Sequence, residues 1–337
     1  MRSGVLLNAE AIARPEDEYP HRLPSPDDPR PWKDTWWFSF HDGAAGLTGV
    51  LHLTLSANRA PGFRLAAALQ WGSRRFLRTW YTTPALTPDT VDGGVVSLRI
   101  VEPEWSDRKR LVLAFDLGGV TGELHWSGRH FGPDLARLTP GLLPGEGQMM
   151  GHAPQAAHVT GRISWDGEAI AVDADGFRDR SWGYRKSDTL TPFGYTYAAI
   201  VLPEAAMGLM ALHHPGPAAP AAVVGGWFSD AAGVLPLVAG DYRRSAEGRP
   251  SDLCFHLADG RTVTLAGAEP QADVLYPYHE PELDGPAVGI LCADQYVRFT
   301  AGDGPALGVF NHGVPFMADV FRGATFCAPG RPPGTGA

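Results

Sequence analysis

Gly49-Val50-Leu51-His52-Leu53-Thr54-Leu55 is the stretch that decides the fold class. Leu51, Leu53 and Leu55 recur at every second position, with His52 and Thr54 between them. Side chains alternate across a strand, so this spacing predicts a β-strand with one apolar face. Upstream, Trp36-Trp-Phe-Ser-Phe40 reads as an aromatic strand ended by His41-Asp-Gly43. Downstream, strands are predicted at 63–71, 76–82, 95–102, 110–117 and 122–127, then at 157–165 and 169–173. The second half continues alike, at 194–202, 206–213, 221–228, 234–238, 252–257, 262–265, 273–276, 288–300 and 307–312. Asp92-Gly-Gly94, Gly118-Gly119, Asp166-Gly167 and Asp259-Gly260 are turn signals between these runs. The 41 Gly and 30 Pro are dispersed between apolar runs, as tight turns require. No long apolar pattern at helical spacing is bounded by caps. The fold class is therefore all-β. Short meander connections link so many strands most simply, and barrel closure removes exposed edges.

A chain of 337 residues is too long for one ordinary core and suits two domains. Residues 1–35 form an extended lead-in, rich in Pro, Asp and Arg after residue 14, with a short helix admissible over 4–13. A first barrel is expected over 36–178, a second over 179–330, and a tail over 331–337. Residues 128–155, dominated by Gly, Pro and Met, are expected to form a long loop.

Hydrophobic residues make up 44% and charged residues 19%, a globular rather than disordered composition. The formal net charge of −9 argues against nucleic acid as a partner and disfavours anionic membrane surfaces. No apolar run is long enough to span a bilayer, and the N-terminal apolar run is too short for a signal peptide, so a cytoplasmic location is expected. Cys254, Cys292 and Cys327 are sparse and odd in number, which fits free thiols in a reducing compartment. Nothing in the sequence fixes the oligomeric state.

Gly176-Phe-Arg-Asp-Arg-Ser-Trp-Gly-Tyr-Arg185 concentrates unusual chemistry. In an extended chain Arg178, Arg180 and Trp182 point one way, and Asp179, Ser181 and Arg185 the other. A guanidinium stacks well on an indole, so Arg180 and Trp182 are a candidate pair. Asp179 and Arg185 share a face about 20 Å apart and meet only if the chain bends, which Gly183 permits.

The pattern Gly-x-x-Arg-Asp-x-Ser-Trp-Gly-x-Arg resembles the signature of the two-lobed, lipocalin-like superfamily. That group comprises AttH-like proteins and carotenoid hydratases (hydroxyneurosporene synthases), and more distantly fungal Diels–Alderases and tocopherol cyclase. Val159-Thr-Gly-Arg-Ile-Ser-Trp-Asp-Gly-Glu168 and Gly225-Gly-Trp-Phe-Ser-Asp230 fit the same likeness. The resemblance implies two consecutive lipocalin-like antiparallel β-barrels, packed against each other across nearly the whole chain, with a ligand cavity at or between them. The family often carries His where this chain has Arg180, and arginine does not transfer protons near neutral pH.

With that fold implied, Asp179 is the candidate acid, since burial can raise a carboxyl pKa into the working range. The alternative is an ionised anchor in an Arg–Asp network. Arg178 and Arg185 are candidates for tuning that acid, and Asp42 for a catalytic role at a strand end. Substrate-binding candidates are Trp182, Arg180, His41, Tyr197, His158 and, in the long loop beside Gln148 and His152, Glu146. Asp42-Gly43 also reads as a plain turn, and Tyr197, His158, Asp294 and His312 as hydrogen-bonded wall residues. His213-His214 reads as a turn, and no spacing assembles metal ligands, so no metal is expected. Nucleotide-binding glycine motifs and the Gly-x-Ser-x-Gly elbow are missing, so no cofactor is expected. The expected function is a cofactor-independent hydratase, cyclase or isomerase acting on a terpenoid, polyene or polyketide-like molecule. The competing expectation is a non-catalytic carrier of a hydrophobic ligand.

Overall fold

A computed structural model describes residues 9–21, 32–56, 62–138, 149–184, 195–212, 222–245, 249–278, 288–302 and 304–317. Strand content dominates. The first half comprises β1 (Trp32–Asp42), β2 (Leu47–Ser56), β3 (Phe63–Trp71), β4 (Arg74–Thr82), β5 (Ala85–Thr87), β6 (Thr90–Asp92), β7 (Val96–Glu102), β8 (Arg110–Asp116), β9 (Val120–Gly128), β10 (Met149–Trp165) and β11 (Glu168–Tyr184). They form one 11-stranded antiparallel sheet in the order β4-β3-β2-β1-β11-β10-β9-β8-β7-β6-β5. The sheet curls on itself, so that Trp71 of β3 and Phe76 of β4 reach Trp165 of β10, at 6.5 and 6.2 Å between rings. The second half is a closed eight-stranded barrel of β12 (Tyr195–Val201), β13 (Ala205–Leu212), β14 (Ala222–Asp230), β15 (Gly233–Arg244), β16 (Pro250–Leu257), β17 (Thr262–Tyr278), β18 (Val288–Ala301) and β19 (Gly304–Met317). The all-β, two-barrel expectation holds, with the first half a curled sheet whose end strands β4 and β5 do not pair with each other.

Turn chemistry behaves as the sequence dictates. Asp166 (φ 49) and Gly167 (φ 86) take the two left-handed positions of a two-residue hairpin closed by Trp165 and Glu168. The boundary expected after residue 178 falls inside β11, which pairs with β1 as far as Tyr184. The expected loop 128–155 is also shorter at its far end, because β10 already begins at Met149.

Among the described residues four apolar clusters form, a small one around Trp32, Trp105 and Trp182 and three large ones that hold the molecule. One fills the curl of the first sheet, with Trp36, Phe38, Phe40, Leu51, Leu53 and Trp126. A second fills the closed barrel, with Ile200, Met207, Tyr242, Phe255, Phe299 and Phe310. The third lies between the halves and joins Trp37, Val50 and Phe177 to Tyr197, Trp227, Tyr276 and Tyr296. The sequence predicts a solvated face for His52 and Thr54, yet both are buried. The reason is that β17 packs across β2 and β3, so β2 faces protein on both sides.

The lead-in is not simply extended. Two short 3-10 turns, Ala9–Ala11 and Pro15–Glu18, form in it, and Trp32–Thr35 already belong to β1. Glu18 is fully buried inside the first half. Its carboxylate pairs with Arg178, accepts from Trp36 Nε1 at 3.2 Å and meets Lys109 Nζ at 2.7 Å. Arg180 pairs with Asp34 and donates to the carbonyls of Tyr19 at 2.8 Å and Glu18 at 3.3 Å. Burial works to raise the Asp34 carboxyl, but Arg180 and His21 outweigh it and hold it below its ordinary 3.8. Its contribution to stability is therefore present above about pH 4 and lost as pH falls through the depressed value. Burial draws Lys109 down to about 7, against the pull of Glu18, and Arg178 down to about 10. Glu18→Ala would leave two buried cations without their carboxylate, so urea unfolding should show a loss of about 3–5 kcal/mol. A loss under about 1 kcal/mol would show that the lead-in does not anchor the first half.

Candidate functional site

The register of β11 against β1 divides the conspicuous motif between two environments. Trp182, Arg180 and Arg178 sit opposite Asp34, Trp36 and Phe38, on the face turned into the first core. Ser181, Asp179 and Phe177 sit opposite Thr35, Trp37 and Ser39, on the face turned to the second barrel. The predicted facing of the arginines away from Asp179 is what the strand shows. Arg180 lies 3.9 Å over Trp36 and 5.4 Å from Trp182, so its main stacking partner is Trp36. Trp182 stacks on His21 at 4.3 Å, and Arg178 lies 3.9 Å over Trp105. Arg178, Arg180 and Trp182 thus hold the lead-in. Gly183 takes a positive φ of 139°, and Arg185 lies outside the described residues, as do Glu146, Gln148 and the His213-His214 pair.

Asp179 faces the joint between the halves. Its Oδ2 lies 2.7 Å from His152 Nε2. The His152 ring is 5.2 Å from Tyr197, and Tyr197 meets Trp37 edge-on at 6.4 Å and 81°. Four buried polar atoms here lack hydrogen-bond partners among the described residues: His152 Nδ1, Asp179 Oδ1, the Tyr197 hydroxyl and Trp227 Nε1. Burial pushes the Tyr197 hydroxyl well above its usual range, and the charge of Asp179 adds to the effect. The Trp227 indole comes near that hydroxyl without meeting hydrogen-bond geometry. Buried groups normally find partners, so this cluster of unpartnered ones among aromatic walls is the candidate site. The chemistry on offer is proton transfer. When His152 Nε2–H donates to Asp179, Nδ1 is left as a free acceptor, with its tautomer set by the carboxylate.

The other expected residues lie elsewhere. Asp42 accepts the backbone N–H of Ala45 at 2.9 Å and of Asp173 at 3.0 Å, which is turn chemistry. His41 sits further along the joint, with Nδ1 2.9 Å from Thr48 Oγ1 and its ring 5.6 Å from Tyr296. Burial, then Arg298, lowers its pKa. His158 is half-buried and pairs with Asp173 at 3.3 Å. His152, which the sequence assigns to a loop, is the residue that sequence reasoning underrates. Its strand carries little alternation because β10 is buried on both faces from Gly151 to Ala157. Among the described residues, no group of three or more His, Cys, Asp or Glu is placed to hold a metal ion. No helix among them is long and apolar enough to cross a membrane.

Residues 14–314 match the family described as "Domain of unknown function (DUF7064)", and the chain belongs to that family. No curated protein matches the sequence. Among solved structures, the chain is similar to kievitone hydratase from Nectria haematococca, with TM-score 0.53, 15% identity, and coverage of 93% of this chain and 96% of that one. It is similar to a protein assigned as AttH from Nitrosomonas europaea, with TM-score 0.52, 15% identity, and coverage of 91% and 98%. It is also similar to CghA solved with Sch210972, with TM-score 0.53, 12% identity, and coverage of 92% and 97%. These likenesses bear out the two-barrel, all-β fold that the resemblance implies. Asp42→Ala would strand two backbone donors, so it should cost about 1–3 kcal/mol for each and leave ligand retention unchanged. Lost ligand retention at full stability would return Asp42 to the site.

Proposed function

We propose that this protein is an acid/base enzyme of the hydratase or cyclase type. It would act without a cofactor on a hydrophobic small molecule such as a terpenoid, polyene or polyketide-like compound held at the joint of the two halves. The Asp179–His152 pair, with its unpartnered polar atoms among Trp37, Tyr197 and Trp227, carries the reading. The hydratase named among the similar folds supports the reaction class. CghA, solved with a small organic compound, supports a small-molecule substrate.

In this reading His152, not Asp179, handles the proton. Asp179 fixes the imidazole tautomer and stabilises the imidazolium, and the Tyr197 hydroxyl, which burial keeps protonated, orients a polar substrate atom. For a hydration, His152 in its imidazolium form gives the Nδ1 proton to one alkene carbon and is left neutral, with Nε2–H still on Asp179. Water adds to the other carbon, and its surplus proton returns to Nδ1. The sum is addition of H and OH across the double bond, with no further reactant. Arg178 and Arg180 have no part in these steps, because both are held on the opposite face of β11.

Turnover of a panel of terpenoid and polyene olefins in deuterated water, followed by mass spectrometry, tests this. Wild type should leave deuterium in the product. His152→Gln and Asp179→Asn should each lower the rate by about 10²–10⁴-fold while keeping the fold and the bound ligand. Ligand retained by all three proteins with no deuterium incorporated would sink the enzyme reading and leave a binding protein.

A further inference from the structure

Asp294 of β18 is fully buried at the joint. Its Oδ1 accepts from Asn311 Nδ2 at 2.6 Å and from the Tyr276 hydroxyl at 3.4 Å. Tyr276 in turn accepts from Asn311 at 3.0 Å and from Trp37 Nε1 at 3.2 Å. On the other oxygen, Oδ2 lies 3.3 Å from Ser39 Oγ, Ser39 lies 2.5 Å from the Tyr296 hydroxyl, and Tyr296 reaches the Gly49 carbonyl at 3.3 Å. The cluster therefore stitches β1 and β2 of the first half to β17, β18 and β19 of the second.

No cation balances this carboxyl: none forms an ion pair with Asp294 among the described residues. Burial holds the titratable groups around it toward their neutral forms. Burial pushes up Tyr276 on β17, Tyr296 on β18 and Cys292 on β18, the last to about 12. His41, beyond Ser39 on β1, has its pKa lowered by burial and by Arg298, which is itself exposed. Proton counting then gives two consistent arrangements. With Asp294 protonated, Oδ2–H donates to Ser39, Ser39 to Tyr296, and Tyr296 to the Gly49 carbonyl. With Asp294 ionised, both hydroxyls reverse: Ser39 donates to the carboxylate, Tyr296 donates to Ser39, and Gly49 loses that donor. The second arrangement leaves a buried carboxylate with neutral donors and, among the described residues, no cation, which costs more than a neutral hydrogen-bonded acid.

We propose that the Asp294 carboxyl is a proton switch for docking of the two halves, with the joint closed firmly when Asp294 donates through Ser39 and Tyr296 and loosened when it ionises. This is independent of the catalytic reading, and its test needs no substrate. An asparagine would fill the same space and still donate to Ser39, so a carboxyl is the choice that makes docking respond to protons.

Burial raises the folded Asp294 from its ordinary 3.8 to about 7, while its hydrogen bonds to Asn311, Ser39, Tyr276 and Trp37 pull the other way. A raised folded value means that stability is whole below the unfolded value and is lost as pH rises through the folded one. Thermal unfolding of wild type and Asp294→Asn from about pH 4.5 to about pH 8.5 reads this directly. The ratio of unfolding constants, wild type over variant, should rise by up to about tenfold per pH unit and level off above about pH 7. Amide exchange on β1 and β18, corrected for its intrinsic pH dependence, should quicken over the same range in wild type alone. A ratio that does not change with pH overturns the proposal. If Asp294→Asn does not fold, infrared spectra of protein labelled at its aspartate carboxyls decide. A protonated-acid band present near pH 5.5, lost above pH 8 and shifted by Ser39→Ala supports the switch. No such band, or one that Ser39→Ala leaves unmoved, overturns it.

Discussion

Strand β1 has no solvent face, and the rest of the molecule is arranged around that constraint. All eleven of its residues are buried, with one side in the first core and the other at the joint. A strand in that position cannot leave a polar side chain unpaired without a penalty of kilocalories. On the inner side, Asp34 is met by Arg180, and the Trp36 indole by Glu18. On the outer side, Thr35 meets Ser181, Trp37 donates to Tyr276, and Ser39 meets Asp294 and Tyr296. The lead-in is drawn into the first half and the second barrel onto its flank by the needs of one strand.

The buried carboxylates show how environment sets role. Glu18 and Asp34 are surrounded by Arg178, Arg180 and Lys109, so charge is compensated and the network acts as an anchor. Asp294 meets only neutral donors, and burial dominates its titration. Asp179 has a histidine on one oxygen and, among the described residues, no partner on the other. Residues of one chemical type thus divide into anchor, proposed switch and candidate catalytic pair according to what lies across the interface.

Much of the fold is legible in order. Alternation at Leu51, Leu53 and Leu55 places β2, and Asp166-Gly167 places the β10–β11 hairpin. The face division of Arg178, Asp179 and Arg180 follows from strand geometry alone, and register confirms it. Legibility fails where both faces are buried. His52 and Thr54 read as solvated, His152 reads as loop, and Glu18 reads as part of an irregular leader, because local sequence does not record what packs against it. Asp42 misleads for the opposite reason: a turn and a strand-end catalytic site have the same short pattern, and only its two backbone partners separate them.

The sequence by itself determined an all-β chain of two barrels and the opposed faces of its signature strand, since these follow from periodicity, turn residues and motif. Only the tertiary structure decided what each face meets. Arg180 meets Asp34 across 146 residues, Asp179 meets His152 across 27, and Ser39 meets Asp294 across 255. Pairings at such separations depend on sheet register and on how the second barrel lies over β1, and no local rule of residue spacing contains either.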